Sequence, residues 1–129
     1  MIRGTPYDDR LLFDDLKTHA ISGGAGDDQI VANGFLSGGL GDDTLESVGE
    51  YTTLRGGAGA DLFILVGSGP PAVVVDFQHG VDTLGFWPGD TPMHVRDAGP
   101  VTLVLDSYDA VQFVVLGHPT ITADDFTFF

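Results

Sequence analysis

The chain has 129 residues, and its 19 Asp and Glu against 5 Lys and Arg give a formal net charge of −14 at pH 7. This carboxylate excess argues against anionic partners, such as nucleic acid or an acidic membrane surface, and favours cations. Cysteine is absent, which excludes disulfides and thiolate metal sites and leaves oxygen ligands for hard cations. No apolar stretch approaches the roughly 20 residues needed to span a bilayer, so no membrane span is predicted.

The first half of the chain repeats a nine-residue pattern. Three strong copies, GGAGDDQIV, GGLGDDTLE and GGAGADLFI, begin at Gly23, Gly38 and Gly56. A looser copy, GTPYDDRLL, begins at Gly4 and has Tyr7 where the pattern has glycine. The glycines permit the left-handed backbone of a tight turn, the sixth-place aspartate supplies charge, and the eighth-place apolar residue starts a strand that faces a core. These eighth-place residues are Leu11, Ile30, Leu45 and Phe63.

The spacing of the copies predicts where the turns lie. They begin at residues 4, 23, 38 and 56, so each step is close to two nonapeptides and none is close to one. The half-coils between them keep an apolar residue before each glycine pair, at Ile21, Leu36 and Leu54, but hold His19, Gly34 and Thr52 where an aspartate would be needed. We therefore expect a solenoid with all strong turns on one edge and a tight turn around Asn33, where the step is shortest.

The glycine pattern fades after Leu65 and β-rich segments follow. AVVVDF at 72–77, VTLVL at 101–105 and VQFVVL at 111–116 predict strands, and DSYDA between the last two predicts a hairpin turn. Helix signals are restricted to a single turn at Thr122–Asp125 and a short irregular excursion from Asp14 to His19. The prediction is an all-β fold, with a parallel β-roll over residues 1–66 that is continued and capped by a small antiparallel β region over residues 67–129.

These residues resemble the RTX family, the repeats-in-toxin proteins of Gram-negative bacteria, for which this nonapeptide is the signature. GGAGADLFILVGSG, VVVDFQHGVDTLGF and TADDFTFF extend the resemblance over nearly the whole chain. They are similar to the C-terminal region of serralysin-type metalloproteases and to the repeat modules of mannuronan C5-epimerases. The resemblance implies a right-handed parallel β-roll (an RTX solenoid). It also implies a secreted, extracellular protein, exported by a type I secretion machinery that reads a C-terminal signal such as residues 125–129.

The resemblance further implies Ca²⁺ ions between stacked turns, held by backbone carbonyls of the glycine-rich positions and by sixth-place carboxylates. Two sites are expected, between the turns at 23 and 38 and between those at 38 and 56. A third, weaker site between the turns at 4 and 23 would use Asp9. Asp27 and Asp42, in the fifth place, would contribute mainly through their carbonyls. The implied metal-binding residues are Gly23, Ala25, Asp27, Asp28, Gly38, Leu40, Asp42, Asp43, Gly56, Ala58, Ala60, Asp61 and Asp9.

Other candidate residues carry weaker signals. Asp8, Asp14 and Asp15 are interpreted as surface charges, and for Asp76 and Asp82 a capping role is favoured over a further ion site. The four histidines show no HExxH spacing and the serines no GxSxG context, so neither a zinc site nor any catalytic residue is predicted. For the aromatic residues, core packing is favoured over an exposed carbohydrate-binding face. The aromatic residues in question are Tyr51, Phe86 and Trp87.

Three functions remain open from the sequence. The leading one is a non-catalytic calcium-binding module that is disordered without calcium and folds on binding it after type I secretion. The first alternative is the C-terminal module of a secreted enzyme, such as a protease, lipase or alginate epimerase, that assists folding or polysaccharide binding. The second alternative is a calcium-dependent adhesin or ligand-binding module, with Trp87, Tyr51 and Thr52–Thr53 as its candidate surface.

Overall fold

A computed structural model of the chain describes residues 1–13, 17–66, 70–87, 92–117 and 119–129. The described residues contain no α-helix, and no helix among them is long and apolar enough to cross a membrane. The predicted all-β class is therefore confirmed. The strands are β1 (Ile2–Arg3), β2 (Arg10–Leu12), β3 (Thr18–Gly24), β4 (Gln29–Leu40), β5 (Thr44–Ala58), β6 (Leu62–Val66), β7 (Ala72–Val74), β8 (Thr83–Trp87), β9 (His94–Ala98), β10 (Val101–Leu105), β11 (Val111–Leu116) and β12 (Phe126–Phe128).

The strands stack as parallel coils in two layers that are joined through β4 and β5. The first layer contains β1, β3, the second halves of β4 and β5, and β7. The second layer contains β2, the first halves of β4 and β5, β6 and β8. All of these pairs are parallel. β4 and β5 are long because each runs from the second layer into the first. The predicted parallel β-roll is thereby confirmed.

The core lies between the two layers and is built from two rows of apolar side chains. Neighbours in register form one row per layer: Ile21, Leu36, Leu54 and Val74 in the first, and Ile30, Leu45, Phe63 and Leu84 in the second. All eight are at most 2% exposed. Burying side chains of this size contributes about 1.5 to 3 kcal/mol each, so the alternation of apolar and polar residues determines which face of each strand turns inward.

All glycine-rich turns lie on one edge of the roll, as predicted. Gly24, Gly39 and Gly57 are direct register partners. The opposite edge absorbs the unequal coil lengths. At its shortest coil, Gly34 has a φ of +112° and would place a Cβ 2.7 Å from the backbone nitrogen of His19. The tight turn expected around Asn33 is therefore present, and it requires glycine.

The C-terminal part combines parallel and antiparallel pairing. β7 and β8 continue the two layers in parallel, so the coil stack extends past residue 66 as far as Trp87. β9, β10 and β11 then form the predicted antiparallel region, and the expected hairpin joins β10 to β11. β11 adds to the first layer beside β7, and β12 adds to the second beside β8. The antiparallel region thus covers the end of the roll as a continuation of the same sheet.

Asp125 anchors the C-terminal strand to the coil stack. It follows Thr122 in the predicted single turn, which is a 3₁₀ helix at Ala123–Asp125. Its buried carboxylate accepts hydrogen bonds from Thr122 N (2.9 Å) and Gly80 N (3.2 Å) and lies 2.7 Å from His79 Nδ1. Burial alone would raise the pKa of Asp125, but these contacts hold the pKa below its ordinary value. The 3₁₀ turn therefore connects β12 to the loop before β8.

The glycines of the turns should tolerate alanine poorly. A Cβ on Gly39 (φ +100°) would lie 3.0 Å from the carbonyl carbon of Gly24 and closer still to its oxygen, whereas a Cβ on Gly99 (φ +75°) would meet nothing within 4 Å. Gly99→Ala, which has backbone strain alone, should cost about 1 to 2 kcal/mol. Gly39→Ala should cost about 1 to 3 kcal/mol more, because the neighbouring turn must move.

Urea unfolding of both glycine variants in excess calcium measures the difference. Equal losses of stability in the two variants would show that Gly24 and Gly39, in the turns at 23 and 38, are not in close contact.

Candidate metal centre

The sixth-place aspartates form a continuous ladder along the glycine-rich edge. Oδ1 of Asp28 accepts the backbone N–H of Asp9 (2.8 Å), Oδ1 of Asp43 accepts that of Asp28 (2.8 Å), and Oδ1 of Asp61 accepts that of Asp43 (2.9 Å). The ladder ends where Oδ1 of Asp82 accepts the N–H of Asp61 (2.9 Å). Oδ1 of each of these carboxylates therefore links its own turn to the preceding turn by a hydrogen bond. Oδ2 of the same carboxylate does not take part in this ladder.

The second carboxylate oxygens differ between the end turns and the interior turns. In the end turns they have backbone donors, from Thr5 N to Asp9 Oδ2 (2.6 Å) and from Gln78 N to Asp82 Oδ2 (2.9 Å). In the three interior turns Oδ2 is buried and has no hydrogen-bond partner. These three atoms are Oδ2 of Asp28, Asp43 and Asp61. Buried polar atoms without partners are rare and costly, so a further binding partner would stabilise the interior turns.

The unpartnered oxygens point into a space that only glycine leaves open. A Cβ on Gly23, Gly38 or Gly56 would collide with Oδ2 of the aspartate five residues later. The same Cβ on Gly23 would lie 2.8 Å from the carbonyl oxygen of Gly38, in the next turn. At Gly23 a carboxylate oxygen and a carbonyl oxygen of adjacent turns therefore converge, which is a donor set that suits a hard cation such as Ca²⁺.

Electrostatics on this edge also favour a cation. Burial, reinforced by neighbouring aspartates, raises the pKa of Asp43 to about 6 and the pKa of Asp61 to about 7. Burial likewise raises the pKa of Asp28 and of Asp82 above the ordinary value. None of the ion pairs within the described residues involves a turn aspartate. No positive side chain of the described residues forms an ion pair with these aspartates, and a divalent ion would offset their buried charge.

Side chains alone do not complete a metal site. Among the described residues, no group of three or more His, Asp or Glu side chains could hold a metal ion. Backbone carbonyls must therefore provide part of any coordination sphere. The structure brings together in three stacked turns the residues expected to contribute carbonyls. They are Gly23, Ala25, Asp27, Gly38, Leu40, Asp42, Gly56, Ala58 and Ala60.

The fifth-place aspartates form a second ladder, which runs in the opposite direction. Oδ1 of Asp8 accepts the N–H of Asp27 and Oδ1 of Asp27 accepts that of Asp42, both at 2.7 Å. Oδ1 of Asp42 accepts the N–H of Ala60 at 2.8 Å. These side chains are exposed. Asp8 was expected to be an ordinary surface charge, but it joins two turns, and Asp27 and Asp42 have a structural role beyond their carbonyls.

Sequence reasoning missed that residues 77–82 form a fifth turn of the stack. Asp82 is in the sixth place of the ladder, Gly80 has positive φ (+78°) in the fourth place, and Leu84 is the buried eighth-place residue. The sequence signal for this turn was the spacing of Gly80, Asp82 and Leu84, which matches the fourth, sixth and eighth places of the nonapeptide. Phe77 and Gln78 stand where the glycine pair would be. The capping role expected for Asp76 is present: its two oxygens accept the N–H groups of Gly56 (2.9 Å) and Gly57 (2.8 Å).

The expectation of core packing for the aromatic residues is right for one of three. Phe86 is buried and contacts Phe113 and Phe126. Trp87 is 55% exposed and Tyr51 is 75% exposed. The prediction is wrong for Trp87 because it follows inward-facing Phe86 in β8, and successive strand residues face opposite ways. Asp14, Asp15 and His118 lie outside the described residues.

The fold and this edge together define a parallel β-roll with a ladder of aspartate carboxylates along its glycine-rich edge. Two solved structures are similar to the chain. The AlgE6R3 subunit of the mannuronan C5-epimerase from Azotobacter vinelandii is 26% identical, with 97% of this chain and 83% of that chain covered and a TM-score of 0.38. The AlgE6R2 subunit of the same epimerase is 26% identical, with 98% and 91% covered and a TM-score of 0.44. No protein-family model and no curated protein matches the chain.

Proposed function

We propose that the chain is a non-catalytic module that binds Ca²⁺ in the stacked turns and folds when it does so. The observation that supports this most directly is the set of three buried Oδ2 atoms, in Asp28, Asp43 and Asp61, that lack a hydrogen-bond donor. A cation between turns would satisfy these atoms and offset their buried charge. Ions are expected between the turns at 23 and 38 and between those at 38 and 56.

The contacts of Asp9 favour a smaller role in ion binding for the first turn, at residues 4–9, than for the interior turns. Both carboxylate oxygens of Asp9 already accept hydrogen bonds from Thr5, to Oδ2 from Thr5 N and to Oδ1 from Thr5 Oγ1 at 2.9 Å. Asp9 is also only partly buried. A third ion, between the turns at 4 and 23 and using Asp9, would therefore be held more weakly than the other two.

A link between ion binding and folding follows from the same carboxylates. Without an ion, the compact state places unpartnered carboxylates side by side, and the unfolded chain lets water solvate them. Extracellular calcium modules typically bind in the range of about 0.1 to 1 mM. The proposed role is therefore that of a secreted module that remains unfolded where calcium is scarce and folds after export, with the type I secretion machinery as its partner.

The module role is compatible with attachment to a secreted enzyme, such as a protease, lipase or alginate epimerase. A second candidate, direct binding of a ligand such as a polysaccharide, is favoured by one observation. On the outside of the first layer a groove of about 380 Å³ lies between the exposed rings of Phe35 and Tyr51, with Thr18 and Thr53 in its lining. Exposed rings beside hydroxyl groups can contact a sugar.

A calcium titration of the intact chain tests the leading proposal. Far-UV circular dichroism in calcium-stripped buffer should show little β-structure, and added calcium should raise the β signal cooperatively. Magnesium is the control, because it demands a tighter octahedral shell and dehydrates reluctantly, so it should not replace calcium. A stripped chain that is already fully folded and does not respond to calcium would overturn the proposal.

A further inference from the structure

The N-terminal end of the roll has two unpaired strand edges. Within the described part of the chain, β1 pairs with β3 alone and β2 pairs with β4 alone. Their outer backbone groups therefore have no strand beside them. We call this surface the open end, and it consists of Met1–Arg3, the turn at residues 4–9, and Arg10–Leu12. Edges of this kind pair with another strand where one is present.

The two apolar rows of the core also reach the solvent at the open end. Ile2 is in register with Ile21, and Leu11 is in register with Ile30. Ile21 and Ile30 are at most 1% exposed, whereas Ile2 and Leu11 are only partly buried although they occupy the same inward positions. Met1 beside them is 79% exposed. The rows therefore lack one covering residue in each layer.

The aspartate ladders show what kind of chain would provide that cover. Oδ1 of every later sixth-place aspartate accepts the N–H of the preceding turn, but Oδ1 of Asp9 accepts the hydroxyl of Thr5 in its own turn. In the fifth place, the N–H groups of Asp27 and Asp42 donate to the carboxylate of the preceding turn. For the N–H of Asp8, the described residues contain no preceding turn. Both groups match a nonapeptide turn placed before residue 4.

The other end of the roll is capped by elements that carry no glycine-pair turn. Asp76 caps the N–H groups of Gly56 and Gly57, and Gln78 N satisfies Oδ2 of Asp82. β11 covers β7 and β12 covers β8. The C-terminal end of a second copy therefore presents β12 and the antiparallel region, and no uncapped nonapeptide turn, so the partner that matches the open end is a coil with an uncapped C-terminal side.

We propose that the open end binds one further parallel β-coil of a polypeptide that carries a nonapeptide turn. The added coil would donate its sixth-place N–H to Oδ1 of Asp9 and accept Asp8 N–H at its fifth-place residue. One apolar residue in each layer would cover Ile2 and Leu11. The inference rests on the stacking pattern, and it depends on the proposed calcium function only for an ion between the added turn and the turn at 4–9.

The test adds such a coil to the full chain. A copy of residues 34–52 fused directly before Met1 supplies a strand for each layer, with Leu36 of the copy beside Ile2 and Leu45 of the copy beside Leu11. Its turn lies 18 residues ahead of Gly4, the spacing that separates Asp43 from Asp61. The matched control is the same extension with Leu36→Ser, Asp43→Asn and Leu45→Ser in the copied segment only, which removes the covering residue of each layer. Amide hydrogen exchange of β1 and β2 is measured in whichever buffer, with or without calcium, gives the folded state.

Exchange at Ile2 and Leu11 should slow by about tenfold or more with the intact extension and not with the control, because an edge that frays becomes an interior strand. Equal exchange in the two extended proteins would overturn the inference, even if calcium binding is normal. Sedimentation of the unextended chain tests the other occupant. A dimer that Leu11→Asp converts to a monomer would assign the open end to a second copy and would overturn the inference. If calcium has no effect but the exchange difference is present, the proposed function fails and this inference stands.

Discussion

Asp43→Asn is expected to raise the calcium concentration at the folding midpoint by about 10- to 100-fold, in line with losses of metal-site groups elsewhere. Asparagine keeps the Oδ1 acceptor for Asp28 N–H, so the ladder is retained, but an NH₂ group replaces the buried Oδ2. Asp43 is in the turn shared by both main sites, so one change should weaken both. In metal-free buffer the variant should be at least as stable as the native chain at neutral pH, because a buried charge is removed.

Asp42→Asn is the matched control for this prediction. It removes the same charge one residue earlier, from an exposed side chain whose Oδ1 also accepts a backbone N–H, that of Ala60. The midpoint should change by no more than about twofold, since exposed charges contribute little. Calcium titrations followed by circular dichroism compare the two variants directly. Equal shifts would indicate that general charge on this edge, and not Oδ2 of Asp43, binds the ion.

The metal-free chain is expected to gain stability as the pH is lowered. Burial raises the pKa of Asp43 from 3.8 to about 6 and that of Asp61 from 3.8 to about 7. The folded state therefore binds more protons than the unfolded state between these values, and stability falls as the pH rises through this window. Circular dichroism in calcium-stripped buffer should show more folded protein at about pH 5 than at about pH 8.

Saturating calcium should reverse the sign of this pH dependence, because protons then compete with the ion for the same oxygens. The double variant Asp43→Asn, Asp61→Asn is the control, and its metal-free stability should vary less over the window. A metal-free native chain that is more stable at the alkaline end would contradict the burial of these two carboxylates in an ion-free fold.

The predictable parts of the fold are those encoded locally. A nonapeptide contains both its turn and its strand, so the turns at 23, 38 and 56 and the inward-facing Ile30, Leu45 and Phe63 could be assigned from the sequence. The spacing of the strong copies, close to two nonapeptides at each step, then determined that the turns share an edge. The eighth-place residue of the first copy, Leu11, is less buried than its counterparts because no coil lies beyond it.

The parts that could not be predicted depend on long-range pairing. The place of β12 beside β8 and of β11 beside β7 depends on which layer has a free edge, and short strand signals do not contain that information. The fifth turn at 77–82 was missed because its backbone is held without a glycine pair, through Gln78 N and the cap at Asp76. The ladder partners of Asp8 and Asp82 follow only once the coils are stacked.

The unequal coil lengths also bear on how such a chain can change over time. Sixth-place aspartates that touch in the ladder are 19, 15, 18 and 21 residues apart. The aspartate ladder on the glycine-rich edge is continuous across all four steps, and at Asn33–Gly34 the far edge accommodates the shortest of them. Insertions and deletions of a few residues are therefore neutral on the far edge and disruptive in the turns. The roll can diversify on one side while it preserves its chemistry on the other.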